Sequence, residues 1–409
     1  MHTVKIFDLL LGFTKALGFV RPITASHNLR VAYFAHLLAS DCNFSKSERV
    51  NLLVASILHD VGAIPLKIET QNFIFDRDKQ NYCRAGWVFC KSAKLNDSIC
   101  RMVLLRNTPW KDIQIKNNIS LGANCIYLSD ALENLSKTNK VFISEKNLHT
   151  LLDPNKYAPQ LILSLKNFLN SFVFSAFNNQ LIKDCLKDYY KKTILTEKQL
   201  ITLCDMFSQV IDSKSQFTAT HSHGVSQVSV EILKLTGLAD KNDLIKMRIA
   251  GLLHDIGKLA VPSKILEKST LLTDSERVEI ERHPEVGADL LGDIPQFSCI
   301  SDWVRSHHER LDGNGYPNKY SSKKLNLPVR VLSVADVFTA LAEHRPYRPA
   351  MDIATVLNTL TKMAKEFYLD KSIVSLVVEH AQYLNSIRLN AQREAASNFI
   401  AMRRLCANF

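Results

Sequence analysis

The chain has 409 residues, 46% hydrophobic and 22% charged, a globular balance that excludes wholesale disorder and fibrous repeats and leaves room for two or three domains. Lys and Arg number 51 against 40 Asp and Glu, a net charge of +11, which favours anionic partners such as nucleotides, nucleic acid or acidic lipid without choosing among them. No window reaches the roughly 18 uninterrupted apolar residues of a membrane span.

The opening residues 1–20 are apolar but interrupted by Asp8 and Lys15, and no small-residue cleavage site follows, so they read as an amphipathic helix. Apolar positions then recur every three or four residues, as in ERVNLLVASILHD, DLIKMRIAGLLHD and MDIATVLNTLTKMAKEF, the period of helices with one buried face. Ser45 with Glu48, and Thr273 with Glu276, have the spacing of capping boxes at helix starts. Alternating strand patterns are scarce, so the expected fold is all-α. Glycine and proline cluster only in LDGNGYPNKY, where Gly313, Gly315 and Pro317 require an irregular loop. The nine cysteines are scattered, odd in number and without a CxxC pair, which suits buried thiols in a reducing cytoplasm better than disulfides or a zinc ribbon.

The chain repeats itself. PITASHNLRVAYFAHLLA around His27 parallels FTATHSHGVSQVSVEILK around His221, and NLLVASILHDVGAIPL parallels MRIAGLLHDIGKLAVP, at offsets of 194 and 195. CIYLSDALENL parallels VLSVADVFTAL at an offset of 206, which pairs Asp130 with Asp336. Two tandem copies follow, over 1–190 and 195–409, joined by the lysine-rich KDYYKKTILTEKQ, where the helical pattern continues.

In the second copy His254 and Asp255 close an apolar helix, and His221, His283, His307, His308 and Asp336 fall on or beside predicted helix ends. Helices of a bundle can aim such side chains at one point. Imidazole suits Fe, Mn, Ni or Zn, while carboxylates add charge and bridge ions. Seven such groups suit two divalent ions, which at roughly 3.5–4 Å separation can activate water and clamp the attacking and leaving oxygens of a displacement at phosphorus. No serine or cysteine nucleophile motif is visible.

HDIGK, then HPEVGADLL, then HHERLDGNGYP, with VADVFTAL and RPYRPAM beyond, resemble the HD-GYP family, a branch of the HD phosphohydrolase superfamily that hydrolyses cyclic dinucleotides. The resemblance covers the second copy and implies a helical bundle around a dinuclear metal centre. It implies that His221, His254, Asp255 and Asp336 hold one ion, that Asp255 bridges, and that His283, His307 and His308 hold the other, with Fe or Mn favoured over Ni or Zn. Asp255 and Lys258 are the implied catalytic pair, Lys258 adding positive charge beside the scissile phosphate. Tyr316, in a loop with Gly313, Gly315 and Pro317 that shapes the pocket rim, joins Lys258, Arg345 and Arg348 as substrate contacts. For the two arginines, solvated helix ends are an equal alternative.

The same loop would offer a surface to a diguanylate cyclase-type partner. Phe217 stands where some members place a third-ion Glu. Thr339 stands where the family usually has a second Asp, which leaves a contact behind the ligands open.

In the first copy His27, His59, Asp60 and Asp130 match the one-ion set, but Tyr82, Arg106 and Asn107 match His283, His307 and His308, and Ala63 matches Lys258. This copy, which carries about +8 of the charge, is expected to be regulatory or structural, with a residual one-ion site or a nucleotide site as the alternatives for its remaining residues. The whole reads as a cytoplasmic, bacterial-type phosphodiesterase that opens cyclic di-GMP or cyclic GMP-AMP to a linear dinucleotide, or on to mononucleotides. The alternatives are a general HD nucleotide phosphohydrolase and a non-catalytic cyclic-dinucleotide-binding scaffold. Neither a nucleic-acid recognition element nor a membrane anchor is apparent.

Overall fold

The computed structural model describes residues 4–20, 24–62, 76–138, 145–171, 178–213, 220–344 and 348–407. Ala63, Phe217 and Arg345 lie outside the described residues. The fold is all-α, with no β-strand among the described residues. The chain divides into two compact units, one of Lys5–Thr193 with Met402–Phe409, the other of Met1–Val4 with Ile194–Ala401.

The N-terminal unit contains α1 (Ile6–Val20), α2 (Thr24–Leu38), α3 (Lys46–Leu58), α4 (Asp76–Ser92), α5 (Asp97–Leu105), α6 (Asn118–Thr138), α7 (Glu145–Leu151), α8 (Pro159–Ser171) and α9 (Asn179–Tyr190). Its centre is α2, α3, α5 and α6, packed through the fully buried Leu29, Phe34, Leu58, Val103 and Ile126. Each such side chain contributes about 1.5–3 kcal/mol by leaving water.

The C-terminal unit contains α10 (Glu197–Ser213), α11 (His221–Leu235), α12 (Lys241–Leu253), α13 (Ser263–Leu266), α14 (Asp274–Glu281), α15 (His283–Gly292), α16 (Ser298–Ser306), α17 (Leu327–Leu341), α18 (Ile353–Lys365), α19 (Lys371–Glu379) and α20 (Ala381–Ala407). Its centre repeats the first pattern, with α11, α12, α16 and α17 packed through Val225, Ile249, Leu253, Val304 and Phe338.

Both expected capping boxes are present, Ser45 with Glu48 opening α3 and Thr273 with Glu276 opening α14. The expected helical junction is corrected. Helix α9 ends at Tyr190 and α10 starts at Glu197. Thr196 and Gln199 exchange backbone-to-side-chain bonds of 2.9 and 3.3 Å, so a new N-cap begins where the old helix would have had to continue. The eight described cysteines are free thiols, but Cys185 is exposed and Cys299 half-buried, contrary to the expectation of uniform burial. Cys185 is the exposed edge of the amphipathic α9, whose buried stripe is Ile182, Leu186 and Tyr190.

One close approach recurs in both units. A Cβ added at Gly257 would lie 1.9 Å from the His283 carbonyl oxygen and 2.7 Å from the Gly287 amide. At Gly62 it would lie 2.2 Å from the Tyr82 carbonyl oxygen and 2.7 Å from the Gly86 amide. Only glycine allows the turn after each His-Asp pair to press so closely on the backbone of a following helix, α15 in one unit and α4 in the other.

Candidate metal centre

Three histidines of the C-terminal unit obey one rule. His254 and His307 cap the C-termini of α12 and α16, and His283 follows the end of α14. Each directs Nδ1 to a carbonyl three residues earlier, His254 to Gly251 at 2.9 Å, His283 to Ile280 at 2.7 Å and His307 to Val304 at 2.6 Å. Helix C-termini leave such carbonyls without an intrahelical donor. A carbonyl only accepts, so Nδ1 carries the proton and the Nε2 lone pair is left for a ligand. His308 follows His307 directly, with its ring 4.0 Å from the His307 ring. His221 begins α11 and has no such carbonyl in its helix; its Nδ1 lies 2.9 Å from Glu343 Oε2.

The seven predicted ligands converge. His221 Nε2 is 3.1 Å and His254 Nε2 is 3.9 Å from Asp336 Oδ1, while Asp336 Oδ2 is 3.8 Å from His308 Nδ1. Asp255 divides its oxygens, Oδ2 lying 3.3 Å from His254 Nε2 and Oδ1 lying 3.2 Å from His283 Nε2. The Nε2 atoms of His283 and His307 are 3.4 Å apart. Three overlapping triads result, His221–His254–Asp255, His254–His307–Asp336 and His283–His307–His308, each with ligand atoms mutually within 4.8 Å. His254 Nε2 and Asp255 Oδ1 are buried without a hydrogen bond, the condition a bound cation would relieve.

Electrostatics prepare the same chemistry. Burial alone would raise the carboxyl of Asp255, but the close approach of His254, Lys258 and His283 holds it well below the ordinary carboxylate range. Asp336 is likewise held well below its ordinary value, burial being outweighed by His221, His254 and His308. Burial and the neighbouring His283 push His308 down to about 3, and burial with the surrounding histidines pushes His307 well down. Anionic carboxylates and neutral imidazoles are the forms that bind metal.

The remaining predicted contacts are placed as follows. Lys258 Nζ lies 2.6 Å from Asp255 Oδ2, at the more exposed edge of the cluster. Tyr316 is half-buried, with its ring 4.8 Å from that of His308 and its amide donating to the His308 carbonyl at 3.2 Å. Arg348 spends its guanidinium on the end of α17, donating to the carbonyls of Ala340 at 2.9 Å and Leu341 at 2.9 Å. The glycine-rich loop is pinned by Glu309, only 3% exposed, which accepts from the amides of Asn318 at 2.7 Å and Tyr320 at 2.9 Å. Glu309 and Glu343 were not singled out from the sequence. Glu309 follows the two adjacent histidines directly, which was a usable signal, whereas Glu343 lies beyond the end of α17 and had none.

The N-terminal unit builds a reduced version. His59 donates Nδ1 to the Ser56 carbonyl at 2.7 Å, and its Nε2 is 3.3 Å from Asp60 Oδ1. His27 Nε2 is 3.3 Å from Asp130 Oδ1 and 3.6 Å from Asp60 Oδ2, while its Nδ1 is 2.6 Å from Glu133. His27, His59 and Asp60 form a candidate one-ion triad. In the place corresponding to His307, the buried guanidinium of Arg106 reaches Asp60 Oδ1 at 3.1 Å and Asp130 Oδ2 at 3.7 Å. A fixed cation there neutralises the carboxylates that a second ion would need, so these residues fit one ion and not two. Tyr82, in the place of His283, donates its hydroxyl to the Asp60 carbonyl at 2.9 Å.

Comparison with known proteins agrees with this geometry. Residues 24–135 and 205–373 each match a family model described as an HD domain. The 3'3'-cGAMP-specific phosphodiesterase 1 of Vibrio cholerae is 26% identical, over 93% of this chain and 92% of that protein. The cyclic di-GMP phosphodiesterase PA4108 of Pseudomonas aeruginosa is 35% identical, over 38% of each chain. Among solved structures, the cyclic GMP-AMP-specific phosphodiesterase V-cGAP3 of V. cholerae superposes with a TM-score of 0.58 at 18% identity, over 93% of this chain and 98% of that one, which supports the fold. With one histidine-aspartate cluster built in each unit, and the seven-residue set and glycine-rich loop in the second, the chain is a tandem HD protein whose second domain is of the HD-GYP type.

Proposed function

We propose that the protein is a metal-dependent phosphodiesterase that hydrolyses a cyclic dinucleotide, with 3'3'-cyclic GMP-AMP preferred and cyclic di-GMP as the second substrate. The observation that carries the reading is the division of Asp255, one oxygen toward His254 and the other toward His283, which would let one carboxylate serve two ions. The preference for cyclic GMP-AMP rests on the full-length likeness to the V. cholerae enzyme of that specificity. Fe or Mn suits the imidazole-rich set. When bound, two such ions would supply Lewis acidity and lower the pKa of water so that hydroxide is available to attack phosphorus at neutral pH.

The chain's own residues do the rest. Asp255 and Asp336 provide the anionic charge, and the histidines, fixed through Nδ1, keep Nε2 aimed inward. Lys258 supplies a cation beside the position where phosphate charge grows. Tyr316 offers an aromatic face for a base next to His308. Arg345 and Arg348 are assigned no substrate contact: the first lies outside the described residues, and the second closes α17. The 3' oxygen leaves, and the product is a linear dinucleotide.

We assign the N-terminal domain, 1–190, a structural or regulatory role, supported by Arg106 in the second-ion position, and catalysis to 195–409. The exposed loop tip, Asp312, Asn314 and Lys319, held from below by Glu309, is the surface we assign to a diguanylate cyclase-type partner. A cytoplasmic location is supported by the free, mostly buried thiols among the described residues.

Chelation tests the metal reading. Exhaustive removal of metal is expected to abolish turnover, and Mn or Fe to restore it with two ions that depend on Asp255. Turnover that survives complete removal of metal overturns the reading. Cleavage of simple nucleotides with cyclic dinucleotides untouched would assign a general nucleotide phosphohydrolase instead.

A further inference from the structure

His27 and His221 both place Nδ1 within hydrogen-bond distance of a glutamate, and the two glutamates stand at different places in the repeat. In the N-terminal unit the acceptor is Glu133, three residues after Asp130 on α6, with Oε2 2.6 Å from His27 Nδ1. The matching residue, three after Asp336, is Thr339, which is fully buried and whose Oγ1 has no hydrogen bond. The acceptor for His221 is instead Glu343, four residues further and just past the end of α17, with Oε2 at 2.9 Å.

Glu343 is itself held from the last helix of the unit. Its Oε1 accepts from Gln392 Nε2 of α20, and Gln392 Oε1 accepts from Arg388 Nη1 at 2.6 Å. Arg388 is braced in turn by Asn385 Oδ1 at 2.8 Å. The slot for Gln392 exists because two residues are small. A Cβ added at Gly224 would lie 2.9 Å from both Gln392 Nε2 and Thr339 Cγ2. Arg348, bonded to the carbonyls of Ala340 and Leu341, fixes the turn that carries Glu343.

We propose that Glu343 is the positioning residue for His221, that it has taken over from position 339 the task Glu133 performs in the other domain, and that Gln392 and Arg388 make α20 part of the metal centre. A carboxylate on Nδ1 fixes the ring and its tautomer and raises the basicity of Nε2. The loss of an acidic residue at 339 is therefore compensated from one turn along the chain, and the compensation depends on a helix that lies after the HD motifs.

The inference rests on metal binding by the cluster and is tested by Mn2+ equilibrium dialysis of the full chain, with Asp255→Ala defining the ions held there. Glu343→Ala is expected to weaken that binding about 10- to 100-fold, Glu343→Gln to weaken it in the same direction, and Gln392→Ala to weaken it less. Thr339→Glu added to Glu343→Ala and Gln392→Ala, which reopens the original place for a carboxylate, is expected to recover most of the loss. Glu343→Ala and Glu343→Gln that bind Mn2+ as the parent does overturn the proposal. So does a relocated glutamate that gives no gain in a protein whose helical circular dichroism is unchanged, because the loss then belongs to packing. If the relocated variant does not fold, the Gln variant decides. A parent that takes up no Asp255-dependent Mn2+ refutes the metal reading itself and this inference with it, whereas normal uptake by every Glu343 variant refutes the inference alone.

Discussion

Asp255→Ala is expected to lower turnover of a cyclic dinucleotide by about 10³-fold or more and to release both ions of the C-terminal cluster, because groups that act as one unit fail together. Asp255 is the residue whose oxygens face both sides of the cluster, at 3.3 Å from His254 and 3.2 Å from His283. Its removal also takes from Lys258 a carboxylate 2.6 Å away. Asp60→Ala, the same change in the other domain, is expected to keep most of the turnover, since Arg106 already fills the second-ion position there. Parallel kinetics and metal counts on the two variants check this. An enzyme silenced by Asp60→Ala and spared by Asp255→Ala would reverse the assignment of the domains.

Gly257→Ala is expected to be nearly as damaging without touching any ligand. The added methyl would sit 1.9 Å from the carbonyl oxygen of His283 and 2.7 Å from the amide of Gly287, so α15 must move away from the turn after His254 and Asp255. Backbone cannot yield as a flexible side chain can. Overpacking of this kind costs about 1–3 kcal/mol, and a ligand displaced by about 1 Å costs roughly 100-fold in rate. His283 is the ligand that shifts, so metal content should fall by about one ion while Asp336 and His221 still bind. Thermal unfolding with metal analysis checks the pair of effects. Full metal occupancy with unchanged turnover would show that the close approach does not position His283.

Much of the site was legible because its geometry is carried by short, local rules. Adjacent His254 and Asp255 at the end of an apolar helix, and His307 at the end of another, announce imidazoles beside free carbonyls, and the internal repeat located the weaker copy. The capping boxes at Ser45 and Thr273 were legible for the same reason, since each is complete within four residues. What escaped the sequence is long-range. Glu343 lies 122 positions from His221, and Gln392 reaches Glu343 from 49 positions further on, so no local pattern joins them. Arg348 read as a free cation because its acceptors are backbone carbonyls, which no side-chain motif records. The junction misled in the opposite direction: helical periodicity ran across it, and the Thr196–Gln199 cap overrode it.

Hydrolysis of a cyclic dinucleotide at the C-terminal cluster is read out by chromatography of the products. Reduced, Mn-loaded protein is incubated separately with cyclic GMP-AMP and cyclic di-GMP, with Asp255→Ala as the blank. Linear dinucleotide is expected from the parent, faster from cyclic GMP-AMP, and none from the blank. Both cyclic dinucleotides left intact by protein that holds its two ions would contradict it.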